Sequence, residues 1–308
     1  MSPSHSHAEA PAHGAVAARA TSRSRGLDLL ALTKPRLNFL VLLTTAAAYR
    51  LGAQPDSLPI TLLHTLVGTA LVAGGASALN QVWERDSDKL MRRTRMRPLP
   101  DARMTATHAR AFGWVLCVAG LAELAVFVNP LSSAIALLTL VSYVWFYTPL
   151  KFRTSLSTIV GALPGALPAV IGWSAATNDL SLGGWVLFGI VFMWQMPHFL
   201  AIAWMYRDEY ARAGIPLLPV IQPDGRSTGR QAVLYAAGLL PITMMPTLIG
   251  LSSPTYLAGA IVLGAILLVF SVEFAVTRTM DSARRLFLSS ILYLPLLWGL
   301  LVWDHVSR

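Results

Sequence analysis

The stretch Gly74-Gly75-Ala76-Ser77-Ala78-Leu79-Asn80-Gln81-Val82-Trp83-Glu84-Arg85-Asp86-Ser87-Asp88-Lys89 closes an apolar run that begins near residue 60. A helix needs about 20 mostly apolar residues to cross a bilayer core about 30 Å thick, and the run over 60–82 meets that length. The polar residues that follow continue the same helix. At about 100° per residue, Asn80, Gln81, Glu84 and Asp88 fall within one narrow arc over two turns, while Arg85 and Asp86 point elsewhere. The helix therefore spans a membrane and leaves it with oxygen-bearing side chains on a single face.

Similar apolar runs lie at about 35–52, 110–129, 131–149, 155–176, 182–205, 231–251, 255–276 and 284–303, which makes nine candidate spans. The first is the weakest, because its apolar core is short and Arg36 and Arg50 flank it. Both can snorkel toward an interface. The composition agrees: 55% of the 308 residues are hydrophobic and 13% are charged, against roughly a quarter charged in soluble domains. The expected fold is all-α, a polytopic membrane protein of nine transmembrane helices around a central cavity.

The net charge of +9 does not imply nucleic acid. With the N-terminus in the cytoplasm and nine spans threaded, all of the 24 Lys and Arg except Arg50 and Arg308 fall on the cytoplasmic side. That distribution is the positive-inside bias, and it places the C-terminus outside. The lone cysteine, Cys117, lies in the third span and reads as a small apolar filler. Residues 1–25 lack the apolar core of a secretory signal. They carry Arg and Ser with Glu9 as the only acid, which admits a transit peptide, but Pro3, Pro11 and Gly14 oppose a helix. We expect a disordered tail over residues 1–27 and one transmembrane domain over 28–305.

Outer connections are short, as in Gln54-Pro55-Asp56-Ser57, Asn129-Pro130 and Thr177-Asn178-Asp179. Two inner segments are longer, 83–109 and 206–230, and each opens on a charged cluster. Two such loops four spans apart suggest a duplicated unit with its working surface there. Gly and Pro recur within spans, at Gly161, Pro164, Gly165, Pro168 and Pro197, where packing and kinks account for them.

The arc of Asn80, Gln81, Glu84 and Asp88 suits a hard cation. Mg²⁺ takes one or two carboxylates and fills its other positions with water and phosphate oxygens. Arg92, Arg93, Arg95 and Arg97 follow at once and can grip phosphate bidentately, or they can simply anchor the topology. A second cluster lies at the end of the sixth span, where Gln195, His198, Tyr206, Glu209 and Tyr210 share a broad face. His198 sits about two turns inside that span. Intramembrane ionisable residues usually face a cavity, and the competing reading is a neutral His bonded to a neighbouring helix. Tyr147-Thr148-Pro149-Leu150-Lys151-Phe152-Arg153 adds two cations on the same side, either a phosphate grip or an anchor.

The pattern Asn80-x-x-x-Glu84-x-x-x-Asp88 resembles the UbiA superfamily of intramembrane prenyltransferases. The stretches 80–100, 147–153 and 197–216, together with Thr33-Lys34-Pro35-Arg36, resemble its haem-farnesylating branch. The resemblance implies Mg²⁺-dependent ionisation of farnesyl diphosphate and capture of the allylic cation by the vinyl group of haem b, at the rim of a lipid bilayer. Asn80, Glu84 and Asp88 would hold Mg²⁺ as the catalytic set, with Gln81 adjacent. Lys151 and Arg153, assisted by Arg92 and Arg97, would grip the diphosphate. His198, Tyr206, Glu209 and Tyr210 complete the substrate-binding residues. A downstream haem-modifying or cytochrome oxidase assembly protein is the partner class implied. The expected location is a bacterial cytoplasmic membrane, with the mitochondrial inner membrane as the alternative. The chain departs from the superfamily at Gln81 and Glu84, where Asp is usual, and at Tyr206 and Tyr210, which stand at the aspartates of a second Asp-x-x-x-Asp motif. The second departure favours the haem branch over those that prenylate aromatic quinone precursors. A transporter is the alternative of another class, but its polar sites belong at the bilayer midplane.

Overall fold

The computed structural model describes residues 25–54 and 58–306. Most of the expected tail, residues 1–24, lies outside them, as do Pro55 to Ser57 of an outer loop and Arg308. Residues 25–27, assigned to the tail, begin a helix.

That helix, α1 (Arg25–Leu32), leads into α2 (Pro35–Gly52), and the two meet at a bend of 48°. Pro35 disfavours helical backbone in the residue before it, and Lys34 adopts the left-handed conformation (φ 49°, ψ 59°). The chain then forms α3 (Pro59–Lys89), α4 (Ala106–Phe127) and α5 (Pro130–Val141). Helix α5 widens into a π-helical turn over Ser142–Tyr147 and ends in α6 (Thr148–Leu150). Next come α7 (Ser157–Thr177), α8 (Leu182–Met205), the short α9 (Arg207–Arg212) and α10 (Leu218–Ile221), and then α11 (Arg226–Leu248), α12 (Pro254–Thr277) and α13 (Met280–Val306).

Among the described residues, eight helices are each long and apolar enough to cross a membrane, and the bent α1–α2 pair is the ninth. The weak first span owes its composition to burial of polar side chains within the bundle: Asn38, Thr44 and Thr45 are buried on α2. The helices run past the apolar stretches that mark them. α3 continues through the acidic arc to Lys89, α11 begins at Arg226, and α13 at Met280.

Local chemistry fixes the outer turns. Asn129 caps α5 through Ser132 N–H at 2.8 Å, with Pro130 at the first helical position. Ser253 and Pro254 do the same for α12, and Asn178 ends α7 in the left-handed conformation.

Helix α7 sits at the centre, against α2, α3, α5 and α8, while α11 and α13 pack on α8 and α12 packs against those two. The tightest seam joins α3 to α4. A Cβ on Gly75 would lie 2.5 Å from both Cys117 Sγ and the Gly113 carbonyl, and one on Gly120 would lie 2.6 Å from the Gly68 carbonyl. Small residues let membrane helices approach this closely. Cys117 is fully buried there, as a filler.

At the end carrying the basic loops, Met91, Ala203, Tyr210, Ala213, Ile215 and Leu217 form a separate small core. It joins the segment after α3 to the one after α8. Arg103 forks onto Asp28 at 3.1 and 3.2 Å and ties α1 to the same cap.

Gly75→Val overpacks the α3–α4 seam, a change that costs about 1–3 kcal/mol. Thermal unfolding in detergent should show its midpoint fall by several degrees. Gly299→Ala, where a Cβ meets nothing within 4 Å, should leave the midpoint in place.

Candidate functional site

The arc on α3 is buried: Asn80 and Gln81 are 1% exposed, Glu84 4% and Asp88 0%. Buried carboxylates persist only when paired or liganded; Lys151 and Arg97 pair with these, and a third cation, Lys34, reaches the adjoining Asn80. Lys34 Nζ donates to Asn80 Oδ1 at 2.9 Å. Lys151 Nζ donates to Glu84 Oε1 at 2.9 Å. Arg97 Nη1 donates to Asp88 Oδ2 at 2.7 Å. The amide of Asn80 also donates to Glu84 Oε1 at 3.0 Å and to Thr148 Oγ1 at 3.1 Å. Two carboxylates against three cations leave the cluster with surplus positive charge.

The backbone delivers each partner by an irregularity. Lys34 holds the left-handed conformation, which is uncommon for a residue other than Gly and clusters at functional sites. Lys151 follows the π-helical turn, a feature also frequent at such sites. There the Tyr143 and Tyr147 rings stack with centroids 5.4 Å apart. Burial pulls the Lys151 ammonium toward neutrality, but the Glu84 carboxylate beside it holds its pKa above the usual lysine range. The lysine therefore stays charged at neutral pH, and strongly alkaline solution is needed to remove its proton and weaken the pair.

Below this cluster opens a cavity of ≈ 280 Å³, close to the roughly 300 Å³ at which ligand pockets begin. Lys151, Tyr147 and Tyr210 stand at its rim, and Val41, Val72, Leu140, Pro168 and Ile171 line its depth. Gly161 and Gly165 of α7 face it; Cβ atoms there would strike the Tyr147 ring and Gln195 Oε1.

The structure thus brings Asn80, Glu84, Asp88, Arg97 and Lys151 together, and adds Lys34. Gln81 shares the arc by angle but donates to the Leu32 carbonyl at 2.7 Å, fastening α1 to α3. Arg92 and Arg153 lie exposed at the surface. His198 is turned away from the cavity. It bonds Ser290 Oγ on α13 at 2.8 Å and stacks on Trp194 at 5.3 Å. Tyr206, Glu209 and Tyr210 contact Arg93: its guanidinium lies 5.1 Å over the Tyr206 ring and 3.4 Å from Tyr210 Oη, and its main-chain N–H is 3.5 Å from Glu209 Oε2.

Among the described residues, no three His, Cys, Asp or Glu side chains form a metal cage. The donor set is nevertheless one that Mg²⁺ accepts, since that ion needs only one or two protein carboxylates. Asp88 Oδ1 is buried with no hydrogen-bond partner, a state that costs about 1–3 kcal/mol or more unless a cation relieves it.

A model of the UbiA prenyltransferase family matches residues 41–299. The chain belongs to that family. Similar UbiA relatives include the protoheme IX farnesyltransferase of Solibacter usitatus, 49% identical over 90% of this chain and 98% of that protein. The proteins of the same name from Koribacter versatilis and Myxococcus xanthus are 43% and 44% identical, over 90% and 91% of this chain and 93% and 95% of theirs. The UbiA fold itself is similar to that of digeranylgeranylglyceryl phosphate synthase, with a TM-score of 0.78 at 12% identity over 92% of this chain and 99% of that one. It is also similar to a UbiA homolog from Archaeoglobus fulgidus bound to GPP and Mg²⁺, with a TM-score of 0.64 at 15% identity over 89% of this chain and 99% of that one.

Gln81→Leu should lower the thermal midpoint, because the buried Leu32 carbonyl loses its donor at a cost of about 1–3 kcal/mol. Prenyl diphosphate KM should stay within about twofold of wild type in this UbiA protein, whereas Lys34→Met should raise it about tenfold or more, the worth of one charge-assisted contact.

Proposed function

We infer that this membrane protein transfers a farnesyl group from farnesyl diphosphate to a vinyl group of haem b, giving haem O and diphosphate. The relatives named protoheme IX farnesyltransferase, identical at 40% and above over most of the chain, support the acceptor. The observation that carries the chemistry is the buried α3 arc with its cationic partners, set at the rim of an apolar cavity.

In this reading the farnesyl chain lies among the apolar walls and the diphosphate sits at the Lys151 rim. Mg²⁺, held by Asn80, Glu84 and Asp88, would neutralise the charge that builds on the leaving diphosphate. Lys34, Lys151 and Arg97 are preorganised donors for the same charge, in a site that water does not screen. With a metal ion held by Glu84 and Asp88, Lys151 and Arg97 would be free to turn to the phosphate oxygens, and Lys34 beside Asn80 would join them. The C1–O bond of farnesyl diphosphate breaks with its electron pair on diphosphate. The haem vinyl terminal carbon then bonds to C1, and water adds to the adjacent carbon with loss of a proton. Haem b, farnesyl diphosphate and one water thus give haem O and diphosphate. The apolar cavity shields the allylic cation from stray water until the vinyl group has reacted.

The bacterial relatives and the basic end of the bundle support a cytoplasmic membrane with that end, and the N-terminus, in the cytoplasm and the C-terminus outside. The diphosphate would then enter from the cytoplasm. A protein that modifies or inserts haem would receive the product.

Purified protein supplied with haem b, farnesyl diphosphate and Mg²⁺ should form farnesylated haem and diphosphate in equal amounts, and a chelator should stop both. Glu84→Gln should reduce kcat by about a hundredfold or more, the scale of losing a charge-stabilising group, with an unchanged elution profile in detergent. Near-normal turnover by that variant contradicts the assignment of the arc.

A further inference from the structure

Arg93 is a cap arginine that contacts Tyr210 of the cavity lining and that the proposed chemistry leaves without a role. Its guanidinium has an aromatic face and a hydroxyl for partners, Tyr206 at 5.1 Å and Tyr210 Oη at 3.4 Å. Among the described residues, no carboxylate forms an ion pair with it. Glu209, the nearest acid, accepts instead from the Arg93 main-chain N–H at 3.5 Å, which fixes the cap backbone to α9. Arg97, four residues on, has its charge met by Asp88 at 2.7 Å. The Arg93 charge is therefore uncompensated, and its side chain is open to solvent.

Position adds direction. Tyr210, which Arg93 touches, lines the cavity together with Ala203 and Leu217 of the cap core. Lys34, Lys151 and Arg97 all attach to the α3 arc, whereas Arg93 attaches to α9 and its approach. The Tyr206 ring covers the guanidinium and Tyr210 Oη accepts from Nη2, so among the described residues the Nη1 and Nε N–H groups keep no side-chain acceptor. A guanidinium fork matches a carboxylate.

We propose that Arg93, seated by Tyr206 and Tyr210, binds a propionate of the acceptor haem and so selects a carboxylate-bearing porphyrin. The proposal rests on the farnesyltransferase reading above. Protohaem carries its vinyl groups and its propionates on opposite edges. A vinyl carbon placed in the apolar cavity therefore leaves the carboxylates at the polar rim, where Tyr210 meets Arg93.

The test compares kcat/KM for haem b with that for its dimethyl ester, in wild type, Arg93→Gln and Arg93→Lys, with farnesyl diphosphate and Mg²⁺ present. Wild type should prefer haem b about tenfold or more, the size of one charge-assisted hydrogen bond. Arg93→Gln should bring that preference close to unity by raising haem KM, with farnesyl diphosphate KM within about twofold of wild type. Arg93→Lys keeps the charge but loses the fork, so it should retain part of the preference. If Arg93→Gln does not fold, a partial loss in Arg93→Lys supports the proposal and an unchanged preference overturns it. An intact preference in Arg93→Gln overturns it, as does a wild type with no preference. A rise in farnesyl diphosphate KM with the haem preference unchanged assigns Arg93 to the diphosphate and also overturns it. Failure of wild type to make any farnesylated haem would instead remove the underlying reading.

Discussion

Two carboxylates buried at one end of a membrane helix demand counter-charge, and most of the irregular structure in this protein supplies it. Glu84 and Asp88 cannot remain ionised in an apolar setting unless cations reach them. Lys34 arrives from a break between two helices, Lys151 from beyond a π-helical turn, and Arg97 from a folded cap. Each of these features is costly locally. A left-handed lysine, a widened helix and an ordered loop all oppose the preferences of the chain. They persist because each places a positive charge against the same arc.

The same arrangement links architecture to chemistry. The cavity beneath the arc is apolar in depth, and Lys151 brings a cation into its lining. A prenyl diphosphate has that polarity. In the proposed reading its chain would lie along the apolar walls, and its anionic end would meet Lys34, Lys151 and Arg97. Lys151 and Arg97 pair with the α3 carboxylates, and Lys34 with the Asn80 amide oxygen. A divalent ion held by the carboxylates would leave the cations free for phosphate oxygens, so metal and diphosphate would favour each other's binding. The small cap core roofs the cavity, and through Tyr210 it joins the rim to the loop that bears Arg93.

Much of this was legible in the sequence. Long apolar runs revealed the spans, and the polar residues at Asn80, Glu84 and Asp88 repeat every four positions, so they had to share a helix face. What periodicity leaves open is which neighbour that face meets. Gln81 lies within the same arc by angle, yet it turns to the Leu32 carbonyl because α1 folds back against α3. Lys34 reaches a residue 46 positions away. Its sequence signals are the Lys-Pro pair, where proline disfavours a continued helix, and its place in the Thr33–Arg36 stretch that resembles the family. His198 invited a role in the cavity as an ionisable group inside a span, but α13 offers Ser290 and Phe287 on the other side of α8. Arg92 and Arg153 carry the right charge and lie at the surface, Arg92 on the cap segment that turns Arg97 inward and Arg153 in the turn between α6 and α7.

The central claim is that metal and diphosphate enter one site by taking over the partners of Glu84 and Asp88. Its most direct test is calorimetric binding of farnesyl thiodiphosphate, a slowly ionising analogue, with and without Mg²⁺. The account predicts that Mg²⁺ tightens binding about tenfold or more, the 1.4 kcal/mol or greater of a genuine coupling, and that Asp88→Asn abolishes the difference. An affinity that is the same with and without Mg²⁺ would contradict it.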